Sequence, residues 1–115
     1  EALLFAGHHK LTNLVIIIDR NKQIVMDKTE DCIKLNPLEK KIKSFGYSTV
    51  SINGHSYNDL NKTFTKIKKK NFKKPLVIIA NTIKGKKVSF LENKEDCHYD
   101  RLSEEEAKIA WEAIS

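Results

Sequence analysis

Residues 14–23 read L-V-I-I-I-D-R-N-K-Q, and they set the fold of the chain. Five apolar residues run from Leu14 to Ile18 without a polar break, which predicts a strand buried on both faces. The sequence then turns polar at Asp19. In open parallel sheets, ligands bind beyond the carboxyl ends of the strands, so this polar tip is where we expect the functional site.

Two further apolar stretches, 47–52 and 76–80, also predict strands, and helical patterns separate the three. The predicted helices cover 1–11, begin at Pro37 with Asn36 as a cap, follow Ser56 with a stripe of Leu60, Phe64 and Ile67, and follow Ser103 in a capping-box pattern. The first three predicted helices each lie next to a predicted strand in the sequence, and the fourth helix follows the third strand.

The alternation of strands and helices predicts an α/β fold, a three-layer arrangement in which helices flank a parallel sheet on both faces. Residues 20–36 and 81–100 lack a clear period and are predicted as loops. Three strands would leave two sheet edges without partners, which indicates a partial domain.

The 115-residue chain has a formal net charge of +6 and two widely separated cysteines, Cys32 and Cys97. Isolated cysteines are typical of free thiols in a reducing compartment, so we expect a cytoplasmic protein. No apolar stretch approaches the ~20 residues that span a membrane, so we expect no membrane partner. The chain begins at Glu1 without an initiator methionine, and we expect a cut point inside a longer protein.

Much of the excess positive charge lies between Lys66 and Lys74. Such a run is compatible with a non-catalytic module that binds nucleic acid. A nucleic-acid surface normally adds arginines and stacking aromatics, whereas this run contains only Phe72. Because the carboxyl end of a helix favours cations, the run predicts a solvated helix end and no nucleic-acid partner.

Asp19, Asn21 and Gln23 cluster at the tip of the first predicted strand. Their oxygens are of the kind that Mg²⁺ prefers, and such a site would also use waters or phosphates. Asp and Asn are equally common in ordinary polar turns, so the residues alone leave both interpretations open.

The other candidates lie in later loops and on the first helix. Lys84 precedes Gly85, which lets the backbone approach an anion closely. His98 lies in an irregular loop, and His55 follows the second strand at the expected functional edge of the sheet. The His8-His9 pair lies on the first helix, where packing against a neighbour is expected.

Several blocks of the sequence, in order, resemble the thiamine diphosphate-binding part of transketolases, and most closely the separately encoded N-terminal subunit of many prokaryotes. The blocks are E-A-L-L-F-A-G-H-H-K-L (1–11), I-I-I-D-R-N-K-Q (16–23), F-G-Y (45–47), I-N-G-H-S (52–56) and N-T-I-K-G-K-K-V-S-F-L-E-N (81–93). Cys97-His98 stands where the family commonly has Trp-His. The resemblance implies that 1–115 are the C-terminal part of a transketolase-type diphosphate-binding domain.

The resemblance also implies the ligands of a Mg²⁺–thiamine diphosphate site. Asn21 matches the Asn that closes the family motif and whose side chain ligates Mg²⁺. Gln23 matches the position that ligates Mg²⁺ through its backbone carbonyl. His98 matches the histidine near the cofactor diphosphate and the donor substrate, where it would orient or move protons. Lys84 lies in the matching lysine-glycine segment and is a further candidate for cofactor binding.

The implied activity is transfer of a two-carbon ketol unit from a ketose phosphate to an aldose, as in the pentose phosphate pathway. The Gly-Asp-Gly that opens the family motif would precede residue 1, and the activating glutamate lies on a pyrimidine-binding domain. We therefore expect a C-terminal transketolase subunit or domain as partner, in a homodimer or a dimer of heterodimers, and no activity for this chain alone. A deoxyxylulose phosphate synthase or a 2-oxo acid dehydrogenase subunit shares the Asn motif, but the blocks within 81–98 argue against both.

Overall fold

The computed structural model describes residues 1–25, 27–69, 72–95, 98–99 and 101–115. Its elements run α1 (Ala2–His8), β1 (Val15–Arg20), α2 (Thr29–Cys32), α3 (Leu38–Ser44), β2 (Ser48–Asn53), α4 (Tyr57–Lys69), β3 (Leu76–Asn81) and α5 (Glu104–Ile114). The chain divides into two units, described separately below: Glu1–Arg20 with Leu35–Thr82, and Asn21–Lys34 with Ile83–Ser115. The first unit holds the three strands, and the second holds the polar segments that follow β1 and β3.

The three strands form one parallel sheet in the order β1-β3-β2, which confirms the predicted α/β fold. In β3, Val77 and Ile78 are completely inaccessible to solvent. In β1, by contrast, Ile17 is 55 % exposed, so the prediction that β1 is buried on both faces is wrong. Ile17 pairs with Ile78 and lies on the same face of the sheet, but β1 is at the edge of the sheet and Ile17 is outside the cluster in which α4 packs on that face.

Helices cover both faces of the sheet, as predicted, because successive side chains of β3 point to opposite sides. One core cluster combines residues of α1, α3 and β3 with the residue that precedes β2: Ala6, Ile42, Val77, Ile79 and Tyr47. The opposite cluster combines residues of β2 and β3 with the inner side of α4: Ile52, Leu76, Ile78, Ala80, Leu60 and Ile67. Phe64 was predicted for the same stripe, but it is 37 % exposed and lies outside this cluster. Leu60 and Ile67, two turns apart, make the contact with the sheet instead.

Three predicted helix ends are confirmed. The Asp59 N–H donates to Ser56 Oγ (3.2 Å) at the start of α4. Ser103 caps α5 by accepting from the Glu106 N–H (3.2 Å), and the Glu106 carboxylate accepts from the Ser103 N–H in return. Gly46 follows α3 with φ +89°, a left-handed conformation that costs glycine little.

Two predictions between β1 and β2 are wrong. Pro37, not Asn36, is the N-cap of α3, because its carbonyl accepts the first helical hydrogen bond, from the Lys41 N–H (3.2 Å). The segment predicted as a loop contains the one-turn helix α2. Thr29 begins this turn, and its N–H and its hydroxyl both donate to the Lys22 carbonyl, at 3.0 and 3.1 Å.

Candidate functional site

The polar tip after β1 folds back on itself as a short hairpin. Asn21 Oδ1 accepts a hydrogen bond from the Gln23 N–H (2.9 Å), and the intervening Lys22 has φ +65°. A side-chain oxygen that binds the backbone two residues later is the usual geometry of an Asx turn. The local sequence therefore fixes the side-chain oxygen of Asn21 beside the backbone of Gln23.

The backbone carbonyl of Gln23 is directed away from the hairpin. Gln23 and Lys28 form an isolated antiparallel bridge. The hydrogen bonds of the hairpin join the residues that flank this pair, Ile24 N–H with the Asp27 carbonyl (2.8 Å) and Thr29 N–H with the Lys22 carbonyl (3.0 Å). In such a non-hydrogen-bonded pair, the N–H and C=O of each residue point away from the opposite strand. Since the Gln23 N–H meets Asn21, its carbonyl faces the same side as the Asn21 oxygen.

The lysine-glycine segment after β3 forms a closed loop. Gly85 has φ +69°, and a Cβ placed there would lie 2.5 Å from the Leu91 carbonyl oxygen. The Asn93 N–H donates to the Lys84 carbonyl (3.0 Å), which joins the two ends of the loop. Gly85 is therefore required both by its backbone conformation and by the close approach of Leu91.

The four sequence-predicted site residues line one cavity of about 220 Å³. Asn21 and Gln23 come from the hairpin, Lys84 from the closed loop, and His98 from the segment before α5. Ile24 and Val25 complete the lining. Neither residue carries a polar group that would mark it as a site residue in the sequence. The only signal is that both directly follow Gln23, at the tip of the hairpin.

The donor set of this cavity fits a hard cation such as Mg²⁺. Asn21 Oδ1 and the Gln23 carbonyl are neutral oxygens, and Mg²⁺ is bound in proteins by a few such ligands together with waters and phosphates. The side-chain Oε1 of Gln23 is also buried, and within the described ranges no group donates a hydrogen bond to it. Among the same residues, no group of three or more His, Cys, Asp or Glu side chains could hold a metal. Among the residues that line the cavity, the oxygen donors are those of amides and backbone carbonyls.

Polar residues at the carboxyl ends of the strands serve the first unit itself. The Thr82 hydroxyl donates to the Asp19 carboxylate, which ties the ends of β1 and β3 together. The Asn81 Nδ2 donates to Ser51 Oγ (2.8 Å) and to the Ile52 carbonyl (3.1 Å). Through these two hydrogen bonds Asn81 joins the end of β3 to β2.

The predicted roles of the remaining histidines differ in outcome. The His9 ring lies 4.3 Å from the Phe5 ring, so the first helix places this histidine against a neighbour as expected. The His55 N–H donates to Asn53 Oδ1 (3.0 Å), which confirms a turn there. This hydrogen bond does not test the other interpretation of His55, a functional role at this edge of the sheet. Cys97 lies outside the described residues.

The lysine-rich run begins within the last turn of α4, where Lys66, Lys68 and Lys69 are exposed. This placement matches the predicted solvated helix end, since cations are favoured there. Lys70 and Asn71 lie outside the described residues. Among the helices of the described ranges, none is long and apolar enough to cross a membrane.

Comparison with protein families settles the family of the chain. The family model of the transketolase thiamine diphosphate-binding domain matches residues 1–114. The chain belongs to the transketolase family. This membership confirms the resemblance drawn from the sequence blocks, and it makes thiamine diphosphate the cofactor of the domain to which the chain belongs.

Subunits of transketolases are among the relatives that match along nearly the whole chain. A 6-deoxy-6-sulfo-D-fructose transketolase subunit of a Clostridium species is 38% identical over 110 residues, covering 96% of this chain and 40% of that protein. One of the subunits of an apulose-4-phosphate transketolase, from Actinobacillus succinogenes, is 35% identical over 114 residues, covering 99% and 41%. The chain thus spans about two fifths of the length of these two relatives.

Solved transketolase structures share the fold. The transketolase of Campylobacter jejuni superposes with a TM-score of 0.85 at 34% sequence identity, over 96% of this chain and 17% of that one. The observed parallel sheet with flanking helices is therefore consistent with part of the transketolase thiamine diphosphate-binding domain.

Proposed function

We propose that this chain forms the Mg²⁺–thiamine diphosphate part of a transketolase, which transfers a two-carbon ketol unit from a ketose phosphate to an aldose. The observation that carries the proposal is the cavity shared by Asn21, Gln23, Lys84 and His98. These residues come from three segments that lie far apart in the sequence, so local structure alone would not bring them together. Membership of the transketolase family supports the cofactor.

Each residue of the cavity has a role that follows from its chemistry. Asn21 Oδ1 and the Gln23 carbonyl hold Mg²⁺ as oxygen ligands. The Lys84 ammonium is a compact positive charge suited to the diphosphate. Ile24 and Val25 contribute the apolar part of the lining.

His98 is the proposed proton-handling group. It can hydrogen-bond to a hydroxyl of the donor substrate and hold or move its proton, the common task of a histidine in general acid–base catalysis. Thiamine diphosphate, when bound, supplies the carbon–carbon bond chemistry. The chain supplies binding, orientation and control of the proton.

A second chain or domain completes the proposed site. Two relatives are subunits by name, and this chain spans about two fifths of their length. We propose that 1–115 are the C-terminal part of the diphosphate-binding domain, in a cytoplasmic homodimer or dimer of heterodimers. A C-terminal transketolase subunit or domain is the proposed partner.

A two-carbon transfer assay with the intact protein and its partner half tests the reaction. Wild-type protein with Mg²⁺ and thiamine diphosphate should shorten a ketose phosphate by two carbons in the presence of an aldose acceptor. His98→Asn should lower kcat about 10²–10⁴-fold, the usual contribution of a general acid or base. Tyr99→Phe is the matched control, since Tyr99 is the exposed neighbour of His98. Absence of two-carbon transfer in the wild type would refute the proposed activity, and an unchanged kcat in His98→Asn would refute the role of His98.

Calorimetric titration of the 115-residue chain alone tests the need for a partner. We expect no binding of thiamine diphosphate with Mg²⁺ in the micromolar range, because a large part of the proposed site lies elsewhere. Micromolar binding by this chain would contradict that part of the proposal.

A further inference from the structure

In the second unit, Asn93 contacts both the closed loop and the hairpin. Its N–H donates to the Lys84 carbonyl at 3.0 Å, and its carbonyl accepts from Gln23 Nε2 at 2.9 Å. Two of the residues that line the cavity are thus bound to the two main-chain groups of the same residue. Asn93 itself does not line the cavity.

The conformation of Asn93 is what makes this double contact. Its φ is +60°, in the left-handed region that asparagine and glycine adopt readily and that β-branched residues avoid. A residue forced back to negative φ would turn its N–H and its carbonyl in other directions. The side-chain identity at position 93 therefore acts through the backbone.

The loop that Asn93 closes is already organised by other contacts. Val88 is buried, and its N–H donates to the Gly85 carbonyl at 3.0 Å. The Glu92 carboxylate accepts from the Lys87 N–H at 3.1 Å, and Lys87 has φ +76°. These contacts hold the loop backbone that begins at Lys84, and the bond from Gln23 to Asn93 links this backbone to the hairpin.

We propose that Asn93 is a positioning residue. Its left-handed backbone holds Lys84 and the Gln23 side chain in fixed positions relative to each other at the cavity. The proposal rests on the proposed cofactor site and gives the Gln23 side chain a task of its own. The backbone carbonyl of Gln23 is the proposed metal ligand, while its side-chain amide joins the hairpin to the loop. Ordering both elements before binding should raise cofactor affinity.

Thiamine diphosphate titrations at fixed Mg²⁺, with the intact protein and its partner half, test this role. Asn93→Val should weaken cofactor binding about tenfold. A β-branched residue is disfavoured in the left-handed conformation, and the free-energy cost of that conformation is about the size that corresponds to a tenfold change in Kd. Asn93→Gly should restore affinity to within about twofold of wild type, because glycine adopts positive φ freely. Ser89→Val controls for a β-branched residue on the same exposed loop and should bind as wild type does.

A second variant keeps the test meaningful if Asn93→Val folds poorly. Gln23→Met removes the donor to Asn93 at similar side-chain length, and it should also weaken cofactor binding. The two substitutions should be non-additive, since they break the same contact. The unfolding temperature of the cofactor-free protein, recorded in parallel, separates lost folding from lost positioning.

The outcomes separate this inference from the proposed function. If the wild-type protein fails to bind thiamine diphosphate, the proposed cofactor site is wrong. If the wild type binds the cofactor, and Asn93→Val and Gln23→Met both bind it as tightly as the wild type does, the positioning role of Asn93 is wrong. Equal weakening in Asn93→Val and Asn93→Gly would also overturn it, since the side chain and not the backbone would then be responsible.

Discussion

Replacement of Asn21 by alanine should affect both the fold and the cofactor site. Asn21 Oδ1 accepts the Gln23 N–H at 2.9 Å, and one such hydrogen bond contributes about 0.5–1.5 kcal/mol to stability. We expect Asn21→Ala to lower the free energy of unfolding of the cofactor-free protein by about 1 kcal/mol. The same oxygen is the proposed Mg²⁺ ligand, so the effect should grow when the cofactor is present.

The additional loss of unfolding free energy in the presence of cofactor can be calculated from the linkage between binding and folding. A ligand at about a hundred times its Kd stabilises the folded protein by about 2.7 kcal/mol, and a tenfold weaker Kd leaves about 1.4 kcal/mol. If Asn21→Ala weakens cofactor binding tenfold, its stability deficit should rise from about 1 kcal/mol without cofactor to more than about 2 kcal/mol with it. A purely structural turn would give the same deficit in both conditions.

Chemical denaturation of the intact protein with its partner half, with and without Mg²⁺ and thiamine diphosphate, measures both deficits. Asn21→Asp is the matched variant, because a carboxylate oxygen can accept the Gln23 N–H and ligate Mg²⁺ in the same place. It should recover most of the cofactor-dependent stability. An identical cofactor-induced increment in Asn21→Ala and wild type would refute the assignment of Asn21 as a ligand.

Three further predictions concern the first unit. Ile78→Ala should lower the free energy of unfolding by about 2–5 kcal/mol, since Ile78 is fully buried in β3, whereas Ile17→Ala, at 55 % exposure, should cost clearly less in the same denaturation experiment. Tyr47→Phe should raise that free energy by about 1 kcal/mol, because the Tyr47 hydroxyl is buried and no described group hydrogen-bonds to it; a marked loss of stability would contradict this. The hydrogen bond from Lys43, with further help from a threonine hydroxyl, lowers the pKa of Glu39 in the folded state. The stabilisation from Glu39 is therefore present above the usual glutamate pKa and is lost as the pH falls through the lowered pKa. Glu39→Gln should flatten the acid side of the curve of unfolding free energy against pH. An unchanged curve would contradict the contribution of the Glu39–Lys43 pair.

Local chemistry in the sequence was enough to predict the three strands and every helix except α2. Alternating apolar runs and helical patterns predicted the three strands and the flanking helices. Ser56 and Ser103 each contain the hydroxyl that caps the following helix, and the glycine at 46 suits the turn after α3. The errors at Asn36 and at α2 arose where side-chain identity does not decide which backbone carbonyl accepts the first hydrogen bond of a helix.

The sequence also identified Asn21, Gln23, Lys84 and His98 as candidates, through spacing and resemblance to a family. Only the tertiary structure placed them around one cavity with Ile24, because the distance between a hairpin and a loop far along the chain depends on long-range packing. The link through Asn93 joins the Gln23 side-chain amide and the Lys84 carbonyl to the main chain of Asn93, and no local sequence pattern predicts that meeting.

By itself, therefore, the sequence determined an α/β chain with a polar, oxygen-rich tip after its first strand. Tertiary structure decided that β3, and not β1, is buried on both faces, because strand order and not composition determines which strand lies at the centre of the sheet with helices packed on both sides. It also decided how the tip is held. The turn at Asn21 follows from nearby residues, whereas the connection to Lys84 through Asn93 requires the Gln23 side chain to meet a backbone carbonyl far along the chain.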